Sequence, residues 1–281
     1  MRVLVYGNCQ AGPLGRLLER AAPQLEVVRV APVHTIQPAD YEATRDLFRT
    51  ADVVLSQPIG ASFGTVSLDS LKADAGKCEW VTYPSIYFSG TFPYLQYLRR
   101  PSGLPVRGPL GDYHDTRILR SFELGLDEVN CLKELEAEDP VRCDLHFKNA
   151  LAESSRREAS LDIKIMETLA ELLLVERCFH TFNHPSNKVM WQVVCRFLEL
   201  MSIPILAGAK PPITQFLDEI SAAIPTEMGS VVGLSYADPL YRVRREAVEP
   251  ARLVEDFYRI YRQMEDFGSL VASNRVRSPA A

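Results

Sequence analysis

No C-x-x-C pair and no zinc-type ligand spacing occurs in this 281-residue chain. Its six cysteines, Cys9, Cys78, Cys131, Cys143, Cys178 and Cys195, are scattered, which argues against a metal centre and fits reduced thiols better than a disulfide framework. Basic charge is short too. Lys and Arg number 31 against 36 Asp and Glu, a formal net charge of −5. That balance disfavours a nucleic-acid surface but leaves room for a local basic pocket around a phosphate-bearing ligand. Also missing are a membrane-length apolar run, a signal peptide, internal repeats and low-complexity tracts. The expectation is a cytoplasmic enzyme. A hydrophobic content of 47% over this length is enough to bury a sizeable core.

Several nucleotide and phosphate signatures fail in register. Cys9 and Arg16 are one residue too far apart for a phosphatase Cys-x5-Arg loop. Gly7-x4-Gly12 is followed by Pro13-Leu14, so a P-loop would lack both its lysine and its magnesium-binding hydroxyl. No dinucleotide fingerprint is matched either.

What is present begins at Val3–Gln10, read Val-Leu-Val-Tyr-Gly-Asn-Cys-Gln. Met1–Tyr6 has the continuous apolar character of a strand buried on both faces. Gly7 suits a sharp turn, Pro13 a first helical turn, and Leu14, Leu17, Leu18 and Ala21 recur at helical spacing. Cys9 therefore stands between a strand end and a helix N-terminus. That place favours a thiolate and offers backbone N–H groups to an oxyanion; the competing reading is a small residue filling a tight junction.

Further strands are expected at Leu25–Val30, Asp52–Ser56 and Glu79–Tyr83, alternating with helices at Ala39–Thr50 and Leu68–Ala75. This alternation predicts an α/β fold with a parallel, doubly wound sheet of four or five strands. Ligands bind at the carboxyl ends of such strands, which would gather Cys9, Gln57 and Tyr83–Gly90 on one edge. Tyr94–Gly111 reads as a loop. Helices are expected at Tyr113–Leu124 and Asp127–Glu138, and over Arg142–Ala152 continuing into a long Ser154–Val175. Others are expected at Asn187–Leu200, Ile213–Ile224 and Arg252–Gly268. The organisation expected is one α/β domain over residues 1–270, helical in its C-terminal half, and a disordered tail at 273–281.

His184 lies in a loop whose Pro185 and Ser186 mark a helix start. An imidazole there can serve a thiol as proton shuttle, or merely cap the helix. His180 competes for that role, or caps the preceding helix. Asp112-Tyr113-His114-Asp115 is either a metal or sugar site or a solvated helix cap. Arg156, Arg157 and Glu158 form either a solvated face or, through Arg157, a phosphate contact.

Gly7-Asn8-Cys9-Gln10, Phe88-Ser89-Gly90, Arg157-Glu158 with Asp162, and Asn183-His184-Pro185 occur in that order. Together they resemble the WcbI-type polysaccharide-biosynthesis proteins, acetyltransferases of bacterial capsule clusters, over about residues 1–200. The family is similar in layout to SGNH/GDSL hydrolases and acyltransferases, with a flavodoxin-like sheet. The resemblance implies coenzyme A or an acyl-CoA as ligand, with cysteine in place of the usual serine, and no metal. The function expected is acyl transfer, as O-acetylation, from CoA to a hydroxyl of a sugar or glycan precursor. Cys9 would be nucleophile and His184 base, with Asn8, Gln10, Gln57, Gly60 and Asn183 supporting the oxyanion and turn. Ser89, Gly90 and Arg157 would contact the cofactor. A thioesterase or esterase, a direct transfer in which Cys9 only lines the site, and a non-catalytic CoA-binding protein are the alternatives. Two departures stand out: Thr181 occupies the position of the SGNH aspartate, and Thr91-Phe92-Pro93-Tyr94 replaces a His-Pro-Asp-like run.

Overall fold

Val3, Leu4, Val5 and Tyr6 are all fully buried, because both faces of the first strand are covered. The computed structural model describes residues 1–277. Its central sheet joins β1 (Arg2–Tyr6), β2 (Glu26–Arg29), β3 (Val53–Ser56) and β4 (Glu79–Thr82), all parallel, in the order β2-β1-β3-β4. Val3 pairs with Val27 on one side and Val53 on the other. The crossovers carry α1 (Ala11–Ala21), α2 (Tyr41–Arg49) and α3 (Leu68–Asp74). Leu4, Tyr6 and Val54 share a core with Phe48 and Leu71 of the α2–α3 side. Leu14, Leu17, Leu18 and Ala21 form the buried stripe of α1, which packs on β1 and β2. This α/β layout is doubly wound. The chain leaves β1 in one direction to β2 and in the other to β3, so the topological switch point, where such sheets open a ligand crevice, lies between β1 and β3.

The chain divides into two compact units, each assembled from three stretches. The first holds Met1–Tyr87, Glu153–Leu172 and His184–Leu217; the second holds Phe88–Ala152, Leu173–Asn183 and the chain from Asp218 onward. After the sheet come β5 (Leu95–Tyr97), β6 (Tyr113–Asp115), α4 (Thr116–Glu123), α5 (Glu128–Glu136), α6 (Pro140–Glu158) and α7 (Met166–Val175). Next are β7 (Phe179–Thr181), β8 (His184–Pro185), α8 (Asn187–Leu200), β9 (Ile220–Ser221) and α9 (Glu227–Val232). The last are β10 (Arg242–Val243), β11 (Glu246–Ala247), α10 (Pro250–Arg262) and α11 (Phe267–Arg277).

Several expected elements change. Tyr113–Asp115 is strand, paired antiparallel with β5 inside the expected loop, and the helix starts only where Asp115 caps it by accepting from the Arg117 N–H. The single long helix to Val175 is broken over 159–165. There the buried Glu158 carboxylate accepts the N–H groups of Ile165 (2.9 Å) and Met166 (2.8 Å), starting α7 afresh. Ile213–Ile224 is not helical: Pro211 and Pro212 precede it, and Asn187 captures backbone groups of Pro212, Thr214 and Phe216. The expected Arg252–Gly268 helix ends at Arg262, and α11 continues through Ser273 to Arg277. Ser273–Arg277 is therefore helical rather than disordered; residues 278–281 lie outside the described residues.

The core of the second unit is polar as well as aromatic. Asp115 is fully buried and receives Arg117 Nη2 (2.7 Å) and the Tyr241 hydroxyl (2.8 Å). His114, also fully buried, lies between the Val106 carbonyl and the Tyr261 hydroxyl. The Asp112–Asp115 cluster is thus not a solvated cap; its last two side chains are interior.

Candidate active site

The turn after β1 is held by amides. Asn8 N–H donates to Gln57 Oε1 (2.8 Å), Gln57 Nε2 donates to Gln10 Oε1 (2.9 Å), and the Ile86 N–H reaches that same oxygen (3.0 Å). Gln10 Nε2 returns a bond to the Ile86 carbonyl (2.7 Å). Both glutamines are buried, so each polar atom needs such a partner. Asn8 adds a local turn, its Oδ1 accepting the Gln10 N–H (3.0 Å) and its Nδ2 reaching Ser85 (3.2 Å). Gly7 has an ordinary negative-φ backbone. It is needed because a Cβ would stand 2.6 Å from Gln57 Oε1 and 2.8 Å from the Tyr83 hydroxyl. The clamp joins the ends of β1, β3 and β4 across the switch point, with Cys9 at its centre. Gly60, at the entry of the following 3-10 turn, is exposed and stands outside the clamp.

Cys9 is half-buried, and burial pushes its thiol pKa up; its own backbone N–H, turned to the sulfur, offsets this only in part. The expectation of a favoured thiolate is corrected: desolvation of the charged form outweighs the hydrogen bond from the residue's own N–H. Tyr83, whose hydroxyl donates to the Tyr6 carbonyl (3.3 Å), is buried close enough to Cys9 for a thiolate there to raise its own pKa further.

The segment after β4 has its own supports. Asp162 accepts the Thr82 N–H (2.7 Å) and hydroxyl (2.6 Å), bonds that hold its carboxyl below the usual range. Arg157 donates to the Tyr87 carbonyl (3.0 Å) and Ser154 Oγ (3.2 Å), and its guanidinium lies over the Tyr87 ring at 4.9 Å. Arg157 is therefore one residue removed from the Ile86–Gln10 bond, not on a remote solvated face. Arg156 is the solvated member, paired with Glu153.

His184 precedes α8, whose N-cap Ser186 accepts the Val189 N–H (3.3 Å). Helices α1 and α8 pack together. Just past α8, the Leu206 N–H reaches the Ala21 carbonyl at the end of α1 (2.8 Å), and Arg20 reaches the Lys210 carbonyl (2.7 Å). Arg16, midway along α1, lies over the Phe216 ring (5.5 Å), and the Phe216 N–H is bonded to Asn187, the first residue of α8 (3.2 Å). Cys9 and His184 each stand just before one of these helices.

The other expected residues belong to the second unit. The Ser89 carbonyl receives His146 Nε2 (3.0 Å) and the Phe92 N–H (2.7 Å). Gly90 is packed so tightly that a Cβ would come within 2.4 Å of Phe88 and 3.1 Å of Ala150. Asn183 Oδ1 accepts from the hydroxyls of Tyr113 (2.6 Å) and Thr181 (3.1 Å), so the SGNH aspartate position is filled by a neutral hydroxyl network. His180 does not cap α7; it sits in β7 beside Ser221 Oγ (3.3 Å). Tyr83, Ser85 and Ile86 fall within the Tyr83–Gly90 stretch expected at this edge; their particular bonds to Tyr6, Asn8 and Gln10 declare themselves only when β4 is laid beside β1 and β3.

A four-stranded parallel sheet with a clamped turn at its switch point defines a doubly wound α/β protein. The family model of the polysaccharide biosynthesis enzyme WcbI matches residues 2–205, and the chain belongs to that family. A solved WcbI structure, described as the native protein without a disulfide bond between coenzyme A and one of its cysteines, aligns with a TM-score of 0.80. It is 19% identical, over 98% of this chain and 95% of that one. A search of the curated proteins finds no match. Among the described residues, no group of three or more His, Cys, Asp or Glu side chains is placed to hold a metal, and no helix is long and apolar enough to cross a membrane.

Proposed function

We propose that the chain transfers an acyl group from a CoA thioester to a hydroxyl of a sugar or glycan precursor. What supports this reading is that Cys9 and His184 stand immediately before α1 and α8, two helices that pack together. The similar WcbI protein, in which CoA and a cysteine are named together, supports the choice of thioester. His184 takes the Cys9 proton as sulfur attacks the thioester carbonyl; the bond to CoA sulfur breaks, and His184 returns the proton to the departing thiolate. In the second half His184 accepts the acceptor hydroxyl's proton, oxygen attacks the acyl-cysteine, and the Cys9 thiolate leaves and is reprotonated. Because burial disfavours a standing thiolate, the base does more here than in a site with a preformed one. The Cys9 N–H serves the oxyanion, Gln57, Gln10 and Asn8 hold the turn that carries it, and Arg157 offers its guanidinium to a CoA phosphate.

Burial of the thiol also favours a second reading, direct transfer with His184 deprotonating the acceptor and Cys9 lining the site. Acyl-CoA turnover with and without hydroxyl acceptors decides among these. Covalent transfer predicts that Cys9→Ala and His184→Ala each lose roughly 10²–10⁴-fold in kcat, and that the double variant loses little more. Wild-type transfer by Cys9→Ala would leave direct transfer. CoA release that ignores the acceptor would mean a hydrolase, and binding without turnover a CoA-binding protein.

A further inference from the structure

The second unit carries a groove of about 770 Å³ between Tyr94, α4, α5 and the start of α6, within the ~300–1,000 Å³ span of ligand pockets. Its charged lining is balanced: Arg117, Arg120 and Arg142 against Glu134, Glu138 and Asp139. Arg117 is already neutralised by Asp115 and spends its remaining donor on the Leu135 carbonyl (2.9 Å). Both Arg117 (4.1 Å) and Arg142 (5.2 Å) lie over the Tyr94 ring, which stiffens that wall. Arg120, Glu134, Glu138 and Gln96, by contrast, make no side-chain hydrogen bond or ion pair among the described residues. Leu124 adds an exposed apolar side chain, while Leu119 and Val271, also in the lining, are buried.

Such a lining suits one chemistry. A phosphate or a polyanion would meet three carboxylates, and a cation three guanidiniums. A neutral polyol instead uses both, since each hydroxyl donates to a carboxylate or amide oxygen and accepts from a guanidinium or amide N–H, while its C–H face covers Leu124. Unpaired guanidinium, carboxylate and amide groups side by side supply both halves of that pattern.

We propose that this groove binds a neutral, polyhydroxylated glycan, at a site carried wholly by the second unit. Binding there needs neither CoA nor Cys9, so it stands or falls separately from the acyl-transfer reading. The test is saturation-transfer NMR and calorimetry on the full chain. The panel comprises neutral hexose oligosaccharides of several linkages, with an oligogalacturonate and inorganic phosphate as acidic counterparts. The expected result is binding of at least one neutral member, weakened at least tenfold by Arg120→Ala and by Glu134→Ala and unchanged by Cys9→Ala. Thermal melts confirm that these exposed substitutions leave the fold intact. No neutral member binding, preference for the acidic probes, or affinity indifferent to both groove substitutions would each overturn the proposal.

Discussion

The two units fix their key loops by opposite means. Around Cys9 the first unit uses neutral amides, Gln10 and Gln57, which satisfy each other and three backbone groups. The second unit organises its interior with charge, burying Asp115 against Arg117 and a histidine between a carbonyl and a tyrosine. An amide clamp keeps its form across pH and brings no full charge to the turn that carries Cys9. A buried ion pair is rigid only while both partners are present.

Removing one partner separates the two designs most strongly. Asp115→Ala strands the Arg117 guanidinium and frees the Tyr241 hydroxyl, and should cost about 3–5 kcal/mol in urea unfolding. A loss below 1 kcal/mol would show that water reaches Arg117.

Acid comes next. Burial lowers the His114 pKa to about 4, from 6.5. Between those values the unfolded chain holds a proton that the folded one refuses. The contribution is complete above pH 6.5, declines as pH falls and levels off below about 4, roughly 3 kcal/mol in all. Urea midpoints from pH 7 to 4 should follow that slope in the wild type and lose it in His114→Phe; an unchanged slope assigns the acid sensitivity elsewhere.

The amide clamp should yield less. Gln57→Leu leaves the Asn8 N–H without its acceptor and removes one donor to Gln10, a cost of about 1–3 kcal/mol without the acid dependence. Gly7→Ala drives a Cβ into the same glutamine, with an overpacking cost of about 1–3 kcal/mol. If the two costs add fully in the double variant, the residues do not act through one clamp.

The smallest expected effect is kinetic. With its pKa pushed up, Cys9 should react with iodoacetamide more slowly near neutral pH than a solvent-exposed model thiol, and gain rate as pH rises beyond the ordinary thiol range. Fast alkylation at pH 7, mapped to Cys9, would restore the thiolate that the local sequence suggests.

Legibility in the sequence follows the same division only in part. The four parallel strands were readable because a strand buried on both faces is a short apolar run, and α8 because its apolar stripe and Ser186 cap are local. The second unit was readable in part: α5 was expected, but the strand at Tyr113–Asp115 resembles a helix start until Leu95–Tyr97 pairs with it. In the first unit the start of the expected Ile213–Ile224 helix was not legible, because its backbone groups are claimed by Asn187, far off in sequence.

By itself the sequence determined the α/β class and the strand-to-helix place of Cys9, since each rests on local periodicity and turn chemistry. His184, expected in a loop, stands instead in the short strand β8. Only the tertiary structure decided the protonation bias of Cys9, because desolvation depends on what is packed around the sulfur rather than on its neighbours in the chain. It also decided that Gln10, Gln57 and Ile86 meet, since hydrogen bonds across three strand ends exist only once the strand order is set.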